Sequence, residues 1–376
     1  MLAQPPLWLI LLAFICALGP LVFFHELGHY FVASWFGVGA EVFSIGFGRE
    51  ITGWTDRRGT RWKVGWLPLG GYVRFIGDEH AASAPADQST LSAEQKARSF
   101  HLRPVYQRFL IVLAGPLANF LLAILIFAAF FTAMGAPRTP AVVGAIEQGS
   151  AAQAAGLRPG DRILAIGGRE MQTFEELRNY VFIRPGETVP LQVERGGRAQ
   201  SIRVKLGTSE EADRFGQRFR RGMLGVSPAG VTWERLPPLK ILSAATGYTI
   251  EITRTTLDAL WQMITGRRSV KELGGFMKIA QVAGQQASLG AIQFISLVAL
   301  LSINLGFINL LPVPMLDGGH LLFYSIEAVR RRPVSPRAQD WAFRGGLAFI
   351  LVLLVFTTLN DLGSFGLWER LGRLIG

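Results

Sequence analysis

The sequence predicts a multi-pass α-helical membrane protein with about four transmembrane helices, a membrane-associated β-hairpin or small sheet, and one inserted α+β domain. Three observations carry this. Of 376 residues, 50% are hydrophobic and only 17% charged, against about a quarter charged in ordinary soluble domains. The apolar residues fall in blocks: Leu7 to Phe24, Phe109 to Pro137, Ile279 to Leu316 and Gly345 to Asn360 contain no Asp, Glu, Lys or Arg. Between the second and third blocks, Ala141 to Leu206 alternates short strand-like runs with one helical run.

A helix crosses the hydrocarbon with about 20 residues at roughly 1.5 Å each. The first three blocks are long enough; the fourth needs Trp341 to Phe343 and a snorkelling Arg344 to complete it. The first span is placed at 1–36. The start, MLAQPP, lacks a positive leader region, so the block reads as a retained span rather than a cleaved signal peptide. Residues 37–103 hold β-branched and aromatic runs broken by glycine (EVFSIGFG, RWKVGW, YVRFI), a hairpin or sheet beside the membrane, then a mobile linker from Glu79 to Ala97 rich in Ala, Ser, Gln and Asp.

The second span is 104–136 and the inserted domain 137–208. There the runs VVGAI, DRILAIGG, VPLQVERGG and AQSIRVKL read as strands around the helical TFEELRNYV. Gly167-Gly168 and Gly196-Gly197 mark hairpins, and Thr173 with Glu176 forms a capping box. Residues 209–286 read as a charged loop (Ser209 to Arg221) followed, over Leu236 to Gly266, by a pair of helical turns or one long amphipathic helix, since Ile241, Ala245, Tyr248, Ile252 and Thr256 recur at helical spacing. The third span is 287–326, a basic loop 327–343, and the fourth span with its tail 344–376.

That basic loop orients the chain. Arg330, Arg331, Arg332, Arg337 and Arg344 face only Glu327 and Asp340, so it belongs on the cytoplasmic side. Both termini and the inserted domain then lie outside, and 37–103 inside. The net charge of +11 is spread among acids without a basic stripe interleaved with aromatics, which excludes nucleic acid as a partner and leaves the lipid bilayer. A single cysteine, Cys16, excludes a disulfide framework and a cysteine metal site.

His25-Glu26-Leu27-Gly28-His29 is an HExxH pattern. On a helix, positions i and i+4 share a face, so both imidazoles can bind one Zn²⁺ while Glu26 reaches a water on the ion. A carboxylate at hydrocarbon depth costs about 2.5–3.5 kcal/mol on insertion scales, so Glu26 needs a partner, and zinc supplies one. Two histidines are too few, because a catalytic zinc commonly keeps three protein ligands. The best third ligand is Asp317, the only acid within the other apolar spans. It ends a run of prolines and glycines that breaks the helix, and irregular backbone at this depth is tolerated where it lines a cavity. His320 is expected at the cytoplasmic surface or behind the ligands.

HELGH in a first span, LPLGGYVRF at Leu67 to Phe75, GPLAN at Gly115 to Asn119, LGG near Leu273 and NLLPVPMLDGGH from Asn309 to His320 together resemble the site-2 protease family of intramembrane zinc metalloproteases. The resemblance covers nearly the whole chain. It implies that the insert is a periplasmic PDZ-like domain in a bacterial inner membrane protein. It also implies hydrolysis of peptide bonds within transmembrane segments of single-span substrates, such as an anti-sigma factor or remnant signal peptides.

His25, His29 and Asp317 would hold zinc and Glu26 would act as general base. Asn309 corresponds to a family asparagine beside the site, fit to bind substrate backbone or the developing oxyanion; Asn304 and Asn119 are weaker candidates of the same kind. An unwound substrate could add as a strand to the hairpin edge, with Gly70 and Gly71 permitting close approach. The PDZ-like domain could bind a peptide C-terminus or exclude bulky substrates. Two departures stand out: one such domain where well-known members have two, and Phe276 after Gly274-Gly275 where proline is expected. The competing readings are a membrane-anchored zinc protease that cleaves extramembrane loops, an inactive scaffold, and a transporter; the last has no use for the HExxH spacing.

Overall fold

In the computed structural model, which describes residues 5–78, 91–212, 218–266 and 274–364, helix α1 runs Leu7–Trp35. Most of the expected linker, Leu273 and the tail from 365 lie outside the described residues. The chain divides into two compact units, Met1–Phe127 with Ala245–Ala259 and Ser269–Gly376, and Ala128–Ala244 with Leu260–Arg268.

In the first unit, α1 buries Ala13, Ala17, Leu21, His25, His29 and Ala33, one residue every four. This period puts them on one stripe of the helix, so the two histidines continue an otherwise apolar packing face. The opposite side exposes Leu7, Trp8, Leu11 and Leu12, as a lipid-facing surface would. Strands β1 (Ala40–Thr55) and β2 (Arg61–Phe75) follow, pairing antiparallel. The register is doubled: Phe43 sits opposite both Val73 and Trp62, so each long strand bends and the hairpin folds into a sheet.

Asp56 locks the turn. Its carboxylate accepts the backbone amides of Arg58 and Thr60, the Trp62 indole N–H and the Tyr30 hydroxyl from α1. Burial opposes its ionisation, yet these hydrogen bonds hold its carboxyl below the usual range.

A short α2 (Ala93–Arg98) occupies the end of the expected linker, started by a capping box between Ser92 and Gln95. This corrects the reading of Glu79 to Ala97 as wholly mobile. Helix α3 is Val105–Met134.

The second unit is an α+β insert. It contains β3 (Ala136–Arg138), β4 (Val143–Ile146), α4 (Ala151–Ala154), β5 (Arg162–Ile166), β6 (Arg169–Glu170), α5 (Phe174–Phe182), β7 (Thr188–Arg195) and β8 (Arg198–Lys205). Next come β9 (Gly207–Ala212), β10 (Arg218–Met223), β11 (Val226–Pro228) and β12 (Thr232–Glu234). The main sheet has the order β6-β5-β7-β8, and its core gathers Val143, Ile163, Ile166, Leu177, Leu191, Val193 and Val204.

Both glycine pairs adopt positive φ in the β5–β6 and β7–β8 turns, as hairpin turns require. Thr173 caps α5, but Glu176 returns its bond to the amide of Gln172, one residue before the cap. Ser209 to Arg221, expected as loop, instead contributes to the paired β9 and β10. The pairing of β11 with β4 and β12 with β3 carries the insert's strands past residue 208 to Glu234.

Helix α6 (Pro238–Ile264) is the expected amphipathic helix. The expected third span, 287–326, is not one helix but is divided among the end of α7 (Phe276–Leu289), α8 (Ala291–Asn309) and most of α9 (Asp317–Arg330). Gly290, at φ 123°, separates the first two. Finally α10 runs Pro336–Ser364, so the basic loop shortens to 331–335 because both flanking helices extend into it. Among the described residues, four helices are long and apolar enough to cross a membrane: Leu7–Trp35, Val105–Met134, Ala291–Asn309 and Arg337–Gly363.

Candidate metal centre

The centre forms where α1, α3 and the start of α9 meet. On α1, His25 and His29 stand one turn apart with their Nε2 atoms 3.2 Å from each other. Asp317 brings Oδ2 to 3.1 Å from the first and 3.5 Å from the second. All three donor atoms lie within 4.8 Å of one another. Asp317 Oδ2 is buried without a hydrogen bond, although two imidazole nitrogens are near it. Converging lone pairs around an orphaned carboxylate oxygen suit a cation, and two imidazoles with one carboxylate suit zinc. The residues present therefore fit the ion that the spacing predicts.

Asp317 owes its place to the irregular segment before it. Prolines 312 and 314 prevent α8 from continuing, Met315 takes φ 82°, and α9 starts afresh with Asp317 as its first residue. A carboxylate there is favoured by the helix dipole. The two residues after it must be small. A Cβ on Gly318 would strike the backbone of Leu310 and Leu311, and one on Gly319 would lie 2.5 Å from the Val313 carbonyl oxygen.

Helix α3 supplies the other wall. The Nδ1 of His29 lies 2.9 Å from the Ile111 carbonyl, and Asn119 Nδ2 lies 3.1 Å from Nδ1 of His25. A Cβ on Gly115 would overlap the His29 ring, and one on Gly28 would meet Ala118 at 2.8 Å and the Ala114 carbonyl. These glycines let α1 and α3 approach closely enough for both contacts.

Glu26 faces β2 and shares a cavity wall with Gly70 to Val73. Beside it, a Cβ on Gly71 would come within 2.6 Å of both the Ser44 carbonyl oxygen and Val22 Cγ1, and 3.3 Å of Glu26 Cγ. The far end of this strand is pinned by buried Asp78, which accepts the Phe75 amide at 2.9 Å and lies 2.8 Å from His101 Nε2.

A cavity of about 290 Å³ opens onto these groups. Its walls include His25, Glu26, His29 and Asp317, the strand from Gly70 to Val73, and Asn309. Asn304, five residues earlier on α8, is not among them. His320 lines the cavity outside the donor trio, its ring 5.2 Å from that of Phe343, which favours the place behind the ligands over a surface position. Asn119, expected to be a weak substrate contact, faces His25 instead. Sequence reading missed the Ile111 carbonyl and the Asp78–His101 pair. Only the small residues of GPLAN hinted at the close approach that makes the first contact possible.

Residues 13–353 match Peptidase family M50. A zinc metalloprotease by name from Agrobacterium fabrum is 43% identical over 93% of this chain and 95% of its own length. Metalloprotease MmpA of Caulobacter vibrioides is 38% identical over 97% of this chain and 98% of its own. The PDZ domain of an SdrC-like protein from Listeria monocytogenes aligns with 24% of this chain and 87% of its own length at 21% identity, with a TM-score of 0.20 that is too low to assign a fold.

Proposed function

The chain belongs to peptidase family M50, a family of membrane zinc metalloproteases, and from that premise we propose that it hydrolyses peptide bonds inside the transmembrane segments of single-span membrane proteins. The observation that carries this reading is the meeting of Asp317 with His25 and His29 beside Glu26, at the level of the apolar spans.

In this reading His25, His29 and Asp317 hold the ion. Bound there, zinc supplies the acidity that lets a water lose a proton near neutral pH and polarises the scissile carbonyl. Glu26 accepts that proton and returns it to the leaving amine. Asn309, on the cavity wall, donates its amide to substrate backbone or to the developing oxyanion.

A helix hides its carbonyls in i to i−4 bonds, so the substrate must unwind before it can be cut. The strand from Gly70 to Phe75 receives the unwound segment by strand addition, and Gly71 keeps the two backbones close. We further place both termini and the insert on the periplasmic side of a bacterial inner membrane, with the centre toward the cytoplasm, because the arginines of 330–344 mark the inside. An anti-sigma factor, as the family resemblance implies, or remnant signal peptides are the proposed substrates. The insert acts as a PDZ-like reader of a peptide C-terminus or as a size filter. Deleting residues 138–208 separates the two, since loss of cleavage supports reading and gain of cleavage on bulky substrates supports filtering.

The central test is Glu26→Gln in purified protein with a reconstituted single-span substrate. Cleavage should stop while zinc stays near one per chain. Persisting cleavage would remove Glu26 as the base. A wild-type cut site mapped by mass spectrometry to an extramembrane loop would overturn the intramembrane assignment.

A further inference from the structure

We propose that Asn119 is a positioning residue for His25, its side-chain oxygen accepting the imidazole Nδ1–H and so keeping the Nε2 lone pair turned toward Asp317. This rests on the zinc reading above and adds a residue that supplies no ligand. A neutral imidazole carries one proton on one of its two nitrogens. Nε2 of His25 faces His29 and Asp317, so in the loaded centre it must offer a lone pair, and the proton belongs on Nδ1. The group in contact with Nδ1 is the Asn119 carboxamide, 3.1 Å away.

Asn119 is fully buried. With nitrogen toward the ring, its Oδ1 has no hydrogen-bond partner, a costly state for a buried acceptor. The two ends of a carboxamide are nearly the same size and exchange by a half turn. After that turn the oxygen receives Nδ1–H, and the histidine keeps the tautomer that a cation needs.

The other histidine is held in the same manner. His29 Nδ1 meets the Ile111 carbonyl, two turns before Asn119 on α3, so one helix presents an acceptor to each ligand. The backbone at Asn119 is itself fixed, since Ser302 Oγ of α8 donates to its carbonyl at 2.8 Å. Asn119 is absent from the cavity wall, which separates it from a substrate-contacting role.

The test reads zinc affinity, not cleavage, by competition with a chromophoric chelator on the full-length protein in detergent. Removing such a partner of a metal-bound histidine typically weakens binding about 10–100-fold. Asn119→Leu should fall in that range, while Asn119→Asp, which keeps an acceptor in place, should stay within about threefold of wild type. A purely structural role would lower the melting temperature of both variants without separating their zinc affinities, and would overturn the inference. So would wild-type affinity in Asn119→Leu. Should that variant not fold, Asn119→Ala takes its place in the same comparison. Asp317→Ala runs beside them: if it also binds zinc like wild type, the donor set itself is wrong. If it alone loses affinity, only the role of Asn119 fails.

Discussion

The His29 ring occupies the space that a side chain at Gly115 would need, and the same helix accepts its Nδ1 at the Ile111 carbonyl. Helix α3 therefore shapes the centre by what it omits as well as by what it offers. Gly115→Ala should push the imidazole out of line and lower zinc affinity by about tenfold or more. Metal content per chain after gel filtration against a weak chelator checks this. Full zinc occupancy in the variant would show that α1 and α3 can separate without cost.

A methyl group on Gly71 would press into the Ser44 carbonyl oxygen and Val22 and crowd Glu26. Gly71→Ala should displace the strand edge or the Glu26 side chain while sparing the three donors. The expected result is a fall in kcat of roughly tenfold or more, as misplacement of a reacting group by about an ångström brings, with zinc content unchanged. An equal loss of zinc would place the damage at the ligands instead.

Asp361 of α10 accepts the amides of Gly275 and Lys278, serving as the N-terminal cap of α7 from a distant helix. Replacing it with Ala should cost roughly 1–2 kcal/mol, the usual range for a lost cap. The loss should appear as faster hydrogen exchange in the first turn of α7. Unchanged protection there would show that packing alone holds the two helices together.

In the insert, the hydrogen bond from Arg195 holds the Asp161 carboxyl below its ordinary value. The folded state thus binds this proton less readily than the unfolded chain, and the pair's contribution is fully present above about pH 4, the unfolded value. It is lost as pH falls through the folded value. Amide protection in β5 and β7 of the full chain should decline below about pH 4 in wild type. In Asp161→Asn protection should be weaker at neutral pH and less dependent on acid.

The spans and HExxH were legible because each is a dense local pattern. Four long apolar runs need no tertiary information, and i, i+4 histidines define a face by helix geometry alone. Asp317 was legible for a different reason: an acid in a charge-free block has few explanations. What stayed hidden depended on partners far along the chain. Asn119 looks like any polar residue in a helix bundle until α1 is beside it. The β9–β10 hairpin was missed because both its strands are charged, leaving no apolar alternation to read. Helix α2 did carry a signal in Ser92 and Gln95, but its short length and the surrounding linker composition concealed it.

Asp317 opens a new helix nearly three hundred positions after His29. A chain made from its N-terminus displays the two histidines and Glu26 long before the carboxylate emerges. Two ligands alone hold zinc poorly, so the centre is incomplete throughout synthesis. On the proposed activity, a catalyst that cuts membrane helices is inert while its own helices are being threaded into the bilayer. It becomes competent only once its last segments are in place.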